Sequence, residues 1–341
     1  MTQLQKTISP TAWLLLLILS LIWGGAFLSV RIALNEIGPL TAVAHRTGWA
    51  MLVLWGYIAI RRLPLPRNPR IWLAFLIMGL LNNVIPFALM AWAQLYIETG
   101  LTAILNASTA IFGVLFAALF FADEKLSWRK SIGVTLGFVG VATAIGLSYL
   151  ASFDLRSIAQ LAVIGGTMSY ALAGVWARKT LAGLTPQVAA AGMVTGASLV
   201  AIPTAWIVEG PISFDLSFQT WLAIGYYAVI ATAFAFLLYY RVLALAGLGN
   251  LALVTLTAAP VAIILGAVTL GEALPLNAYA GFGILAVGLL ILSGRLRLPV
   301  KRPWPRARPG PAPHAPSGPS STPSPRAGGT GRPKHPKPPP R

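Results

Sequence analysis

The chain has 341 residues, of which 57% are hydrophobic and only 10% are charged, and its mean hydropathy is +0.75. Soluble domains average about 45–50% apolar residues, so this composition excludes an ordinary soluble domain and indicates an integral membrane protein. The formal net charge of +17 does not indicate nucleic-acid binding, because 11 of the 25 basic residues lie from Arg295 onward, outside the apolar part of the chain.

Apolar runs near the length of a membrane-spanning helix, about 20 residues, follow one another along the chain. They predict helices near residues 11–34, 39–60, 71–94, 99–121, 129–149, 158–177, 186–208, 219–240, 249–270 and 275–294. The runs are continuous, whereas strands of membrane barrels are short and alternate in polarity. The sequence therefore predicts an all-α integral membrane protein with ten transmembrane helices.

Lysine and arginine are distributed unevenly among the connections between these runs. With a cytoplasmic N-terminus (residues 1–10), the outer connections hold only Arg156, and the other loop cations lie inside. The positive-inside rule then predicts a multi-pass protein of a bacterial-type inner membrane with both termini in the cytoplasm. Residues 295–341 form a Pro-rich basic tail whose composition predicts disorder. Binding of anionic lipid by this tail and plain solvation both remain open.

The two halves of the apolar region resemble each other. The pattern E-x-L-x6-G-x6-G begins at Glu124 and again at Glu272, an interval of 148 residues. Two further regions match at intervals of 147 and 149 residues, including Arg31 with Arg178. We therefore expect two five-helix repeats, 11–149 and 158–294. Five is an odd number, so the second repeat enters the membrane inverted relative to the first, as in many transporters.

The residues that carry a family resemblance are "LSLIWGGAFLSVRIALNEIGP" (Leu19–Pro39), "ILNASTAIFGVLFAALFFADEKLSWRKSIGVTLGFVGVA" (Ile104–Ala142) and "TLTAAPVAIILGAVTLGEALPLNAYAGFGILAVG" (Thr255–Gly288). With the length and the repeat, the chain resembles a ten-span EamA-type member of the drug/metabolite transporter superfamily. The resemblance implies export of small metabolites, often amino acids or related compounds. A multidrug or toxic-compound efflux carrier is the alternative, and a channel is less favoured. Pro260 has Phe112 at the matching position, so unwinding at this proline would make the halves move unequally.

Arg46 is the most informative polar residue of the apolar runs. It lies about 10 Å inside the second predicted helix at 1.5 Å per residue, where an isolated charge costs at least about 2.5–3.5 kcal/mol. Its planar fork matches a substrate carboxylate or phosphate, but an internal pair with Glu98 or with helix carbonyls would also satisfy it. The neighbouring His45 is a candidate for coupling transport to protons, although its sequence context favours a structural role.

Uncharged polar and aromatic side chains are the other candidates for substrate binding: Trp23, Asn82, Asn106 and Tyr227. Each has a competing structural explanation, since such groups also join helices or lie at the membrane interface. Glu124 and Glu272 are predicted helix-end or gate residues at opposite membrane faces. Asp123 and Glu124 are expected to face Lys125, Arg129 and Lys130 on a cytoplasmic turn.

Gly133, Gly137 and Gly140 lie on one face of the fifth predicted helix, where a neighbouring backbone can approach closely. This face predicts either packing within the chain or a homodimer. The absence of cysteine, and of any Asp or Glu in the middle of an apolar run, disfavours an enzyme, a metal site and a cofactor. The expected partners are a small-molecule substrate and the lipid bilayer.

Overall fold

The computed structural model describes residues 10–124, 126–146, 155–246 and 253–296. These residues form helices joined by connections, and no strand occurs among them. In chain order the helices are α1 (Pro10–Ala33), α2 (Pro39–Arg61), α3 (Pro69–Ala93), α4 (Thr99–Phe120), α5 (Trp128–Ile145), α6 (Leu155–Thr180), α7 (Pro186–Glu209), α8 (218–246), α9 (Leu253–Leu270) and α10 (Leu276–Leu292). The predicted all-α fold class is confirmed. The predicted N-terminus up to residue 9, Lys125 and the tail from residue 297 lie outside the described residues.

Six helices are long and apolar enough to cross a membrane, namely α1, α3, α4, α6, α7 and the part of α8 up to Tyr239. Two shorter apolar helices, Val254–Leu270 and Leu276–Leu292, accompany them. Large apolar side chains stay exposed on the helix surfaces, among them Ile207 (80%), Val268 (81%) and Leu276 (84%). Such a surface suits hydrocarbon rather than water, so the chain is a membrane protein. Ten crossings and an inverted arrangement of the halves remain predictions.

Local sequence explains where several helices begin. Pro39, Pro69 and Pro186 are the first residues of α2, α3 and α7, where a missing N–H costs nothing and the proline φ angle suits a helix. The side chains of Ser127 and Ser217 cap α5 and α8 by accepting backbone N–H groups. These prolines and serines place the starts of the helices close to the limits predicted from hydropathy.

Three helices depart from regular α geometry. Residues Leu80–Val84 of α3 and Gly225–Phe234 of α8 are π-helical, and α4 is interrupted at Ala107–Ser108 between its segments Thr99–Asn106 and Thr109–Phe120. In contrast, α9 runs without interruption through Pro260. The unwinding considered at this proline is therefore wrong for the described residues, and the interruption lies in α4 instead.

The glycine face of α5 packs against α10 within the chain. A Cβ atom on Gly140 would lie 2.4 Å from the backbone nitrogen of Leu285, and one on Gly281 would lie 2.3 Å from that of Ala144. Real Cβ atoms do not approach backbone so closely, so this helix pair depends on glycine at both positions. The homodimer remains a prediction, and it would have to use another surface.

Hydrogen bonds close both ends of the α5–α10 pair. Asn277, in the first turn of α10, donates from Nδ2 to the carbonyl oxygens of Thr143 and Ala144 at 3.2 and 3.1 Å. Arg129, in the first turn of α5, donates from Nε to the carbonyl oxygen of Ile291 at 3.0 Å. The two helices are therefore antiparallel. The donors differ by 148 residues, and so do the acceptors Thr143 and Ile291.

Candidate functional site

Arg46 lies in the second turn of α2 and contacts two other helices. Its Nε donates to the Oγ1 of Thr232 in α8 at 2.9 Å, and its guanidinium carbon lies 3.7 Å from the centroid of the Phe87 ring in α3. A cation over an aromatic face gains roughly 0.5–2 kcal/mol, more when water is excluded. The side chain is held on one edge by a hydrogen bond and on one face by a ring.

The π-helical stretch of α8 prepares the hydroxyl that Arg46 binds. Thr232 Oγ1 donates its proton to the carbonyl oxygen of Tyr227, five residues earlier, at 2.8 Å. Because that proton is used on the backbone, the lone pairs of the hydroxyl oxygen remain to accept the Arg46 Nε–H. The site thus contains a directed chain of hydrogen bonds from Arg46 through Thr232 to the Tyr227 carbonyl.

Two tyrosines complete the surroundings of Arg46. The ring of Tyr170 in α6 meets the Phe87 ring edge to face, with centroids 6.2 Å apart, and Tyr227 of α8 supplies the carbonyl that accepts from Thr232. Tyr227 is fully buried, and its hydroxyl has no hydrogen-bond partner in the described part of the chain. A polar group in that position is costly unless something else satisfies it.

The carboxylate proposed as the internal partner of Arg46 is engaged elsewhere. Glu98 accepts two hydrogen bonds from Nη2 of Arg156, at 3.0 and 2.7 Å, so the predicted Arg46–Glu98 pair is wrong. No ion pair involving Arg46 occurs among the described residues. Within that part of the chain its only hydrogen-bond acceptor is Thr232, so the two Nη groups keep their donors for a ligand.

The other three residues predicted to bind substrate share no described hydrogen bond or ring contact with Arg46. Trp23 packs against Tyr239, with ring centroids 5.8 Å apart. Asn82 is part of the π-helical stretch of α3 and is partly exposed, whereas Asn106 ends the first segment of α4 and has its Oδ1 buried. No hydrogen bond between described residues joins any of the three to Arg46. Of the predicted binding set, Tyr227 is the residue that hydrogen bonds between described residues link to Arg46, through the Thr232 hydroxyl.

His45 is buried among aromatic side chains rather than beside a carboxylate. Its Nδ1 accepts a hydrogen bond from the indole Nε1 of Trp49 at 3.3 Å, and its ring meets Phe214 and Trp221 edge to face. An Nδ1 that accepts a hydrogen bond belongs to a neutral imidazole. The coupling role predicted for His45 remains a prediction.

Glu272 and Glu124 make different contacts at the ends of their helices. One oxygen of Glu272, Oε1, accepts from the backbone N–H and the hydroxyl of Thr99, at 3.1 and 2.8 Å, and so caps the N-terminus of α4. Glu124 instead pairs with Lys130 at 3.1 Å and more loosely with Arg178 at 3.7 Å. The two glutamates match in sequence, but of these two it is Glu272 that caps a helix.

The acidic pair in the turn at residues 121–127 contacts Lys130 as predicted, but it contacts Arg178 rather than the predicted Arg129. Asp123 pairs with Arg178 of α6 at 2.5 Å, and this hydrogen bond lowers the pKa of Asp123. Arg129 does not face the acidic pair, because its Nε binds the end of α10. Sequence alone favoured Arg129 because it is the near neighbour along the chain.

Two more carboxylates accept backbone N–H groups at the starts of helices, as Glu272 does. Glu209 accepts the backbone N–H groups of Leu40 and Thr41 at 2.9 and 2.8 Å, which caps α2. Glu36 accepts from the backbone N–H of Ser217 at 2.9 Å, and hydrogen bonds from the side chain and backbone of Ser217 lower the pKa of Glu36. Each contact joins the end of one helix to the start of another that is distant in the chain.

Sequence reasoning missed Phe87, Tyr170 and Thr232, the residues that hold and surround Arg46. Phe87 had a signal, since it matches Phe236 at the repeat interval. Thr232 is the single hydroxyl in the run "AVIATAFAF" (228–236), and a lone hydroxyl in such a run can mark a helix contact. Neither signal could indicate which helix it would meet.

Comparison with known proteins supplies a family for this arrangement. The family description "EamA-like transporter family" matches residues 10–146 and again residues 157–294. Protein PagO of Salmonella typhimurium is 25% identical over 67% of this chain and 74% of its own length. The uncharacterized inner membrane transporter YedA of Escherichia coli K12 is 23% identical over 83% of this chain and 91% of its own. A solved crystal structure superposes with a TM-score of 0.60 at 19% identity, over 84% of this chain and 99% of that one, which shows a shared fold.

Proposed function

The chain belongs to the EamA-like transporter family, and from this premise we propose that it exports a small carboxylate-bearing metabolite across a bacterial-type inner membrane by alternating access. The single observation that carries the proposal is Arg46, a cation about 10 Å inside a helix, held by Thr232 and Phe87 with its Nη donors unoccupied by any described residue. Such a fork matches a carboxylate in two parallel hydrogen bonds.

Ten spans in two inverted repeats are part of this proposal. The reciprocal caps of the α5–α10 pair support it, because donors and acceptors both recur at 148 residues. A second pair of contacts is consistent with it. Ser20 and Thr257 share a hydrogen bond at 2.5 Å between α1 and α9, and Ser108 donates to Thr167 at 3.1 Å between α4 and α6. Ser20 and Thr167 differ by 147 residues, and Ser108 and Thr257 by 149.

Alternating access needs a central site that opens first to one side and then to the other. The caps made by Glu209 and Glu272 join separate helices at one end of the bundle. In the N-in, C-in topology favoured by the positive-inside rule, that end faces away from the cytoplasm. We take these contacts as the seal of the outer face. Opening toward the outside then requires that Glu272 release the N-terminus of α4.

Efflux of lipophilic cations is the competing function within the family. A cation would meet the positive charge of Arg46 at membrane depth, and it would need a carboxylate there to offset that repulsion. Every acidic residue in the described ranges lies at a helix end or in a connection. The electrostatics of the site therefore favour an anionic group over a cation.

Counterflow into liposomes that contain the purified protein tests the proposed function. A carrier gives saturable exchange of labelled carboxylate, whereas a pore gives current that grows linearly with voltage and does not saturate. Arg46→Lys keeps the charge but loses the planar fork, so we expect KM to rise by about tenfold, the loss of about 1.4 kcal/mol of binding free energy. Unchanged kinetics in Arg46→Ala, with normal insertion, would contradict the anion-binding role.

A further inference from the structure

The site around Arg46 has a positive charge with no described negative charge to balance it. All described carboxylates are at helix ends or in connections, and most are already engaged by other helices. They are Glu36, Glu98, Asp123, Glu124, Glu209, Asp215 and Glu272. A bound carboxylate would neutralise Arg46, but a positive group on the same ligand would find no described carboxylate beside it.

The remaining polar groups of the site are neutral. The Thr232 hydroxyl gives its proton to the Tyr227 carbonyl and accepts from Arg46, so it is already occupied. The Tyr227 hydroxyl is buried without a partner among the described residues, and the carbonyl of the same residue ends the hydrogen-bond chain that starts at Arg46. A phenol can donate to or accept from a hydroxyl on a ligand. It is a poor match for an ammonium, which keeps its full charge after one hydrogen bond.

We propose that the substrate is an organic monoanion, a carboxylic acid that lacks an ammonium group, and that zwitterionic amino acids are discriminated against. This inference rests on the proposed function and narrows its substrate class. The carboxylate takes the Nη donors of Arg46, and an uncharged polar group of the ligand, such as a hydroxyl, takes the Tyr227 hydroxyl. In an amino acid the α-ammonium would stand within a few ångströms of Arg46 in a medium where like charges repel more strongly than in water.

Matched pairs of acids measure the effect of the ammonium group on transport separately from that of the carbon skeleton. L-3-phenyllactate and L-phenylalanine share one carbon skeleton and differ in a hydroxyl against an ammonium, and so do L-lactate and L-alanine. In counterflow with purified protein, we expect kcat/KM for the preferred hydroxy acid to exceed that of its amino acid by at least about tenfold. Thermal stabilisation of the detergent-solubilised protein by the hydroxy acid is a second readout that does not need transport.

Arg46→Gln links the discrimination to the site. The variant keeps hydrogen-bonding groups but removes the charge, so the preference for the hydroxy acid should collapse to within about threefold, and the stabilisation by the hydroxy acid should vanish. Arg46→Lys keeps the charge and should retain the preference at a higher KM. This second variant keeps the test decisive if Arg46→Gln does not fold.

The outcomes separate the inference from the function on which it rests. Saturable exchange of the amino acids at a rate equal to or above that of the hydroxy acids overturns the monoanion inference but leaves a transporter in place. A preference for hydroxy acids that survives in Arg46→Gln also overturns it, because the selectivity would then arise elsewhere. If a broad panel of acids, amino acids and cations gives no saturable exchange, both the inference and the proposed function fail.

Discussion

Replacing Thr232 with valine removes one hydroxyl and little volume, and it should weaken substrate binding through Arg46. The substitution takes away the acceptor of the Arg46 Nε–H and the donor to the Tyr227 carbonyl. A hydrogen bond to a charged group contributes about 1.5–3 kcal/mol. If the bond fixes the fork for the substrate, its loss corresponds to a rise in KM of about 10- to 150-fold, since each 1.4 kcal/mol is a factor of ten.

Counterflow of a labelled carboxylate at several concentrations would measure this KM. Thr232→Ser keeps the hydroxyl and should stay within about threefold of the wild-type protein. Thr195→Val is a matched control, because the Thr195 hydroxyl also accepts from a side chain, the indole of Trp55 at 2.8 Å, and donates to a helix carbonyl at 2.7 Å. A KM for Thr232→Val equal to that of the wild type or of Thr195→Val would show that Thr232 does not position Arg46 for the substrate.

Further predictions concern the helix pair, the outer seal and the cytoplasmic turn. Gly140→Val should greatly reduce the yield of folded protein and lower its Tm, because its Cβ meets backbone, whereas Gly113→Val meets nothing within 4 Å and should be tolerated; equal effects of the two variants would contradict the close packing of α5. Glu272→Ala should raise by several-fold the rate at which an impermeant thiol reagent, added from the outside, labels a single cysteine placed at the transport site. An unchanged rate would count against the seal. The Asp123–Arg178 pair holds the pKa of Asp123 down, so its stabilisation exists above the ordinary value of about 3.9 and is lost as the pH falls through the lowered pKa. Asp123→Asn should therefore lower Tm at pH 7 but not at about pH 2, and a Tm difference that persists in acid would argue against this pair.

Hydropathy and the residues that typically begin helices predicted most of the fold, because both signals are local in the sequence. Pro39 and Pro186 begin helices where the apolar runs begin, and Arg46 stands out because a charge at that depth needs a partner. The identity of the partner depended on contacts between distant helices. Glu98 looked available in sequence, yet α6 brings Arg156 to it.

Thr232 shows why the rest of the site could not be predicted. Its hydroxyl reaches Arg46 from within a π-helical stretch, where the side chains are rotated relative to those of a regular α-helix. Residue spacing at 3.6 per turn therefore assigns the wrong face to this part of α8. A second π-helical stretch lies in α3 at Leu80–Val84, and π-helical insertions are frequent at functional sites.

Labelling of one cysteine beside Arg46 is the sharpest test of alternating access. The chain contains no cysteine, so Phe87→Cys provides a single thiol at the residue that packs on the guanidinium. If access alternates, the thiol reacts with an impermeant maleimide in both right-side-out and inside-out vesicles, and a transported carboxylate slows the reaction from both sides. Reaction from one side only, or reaction from both sides accompanied by a current that does not saturate, would contradict alternating access.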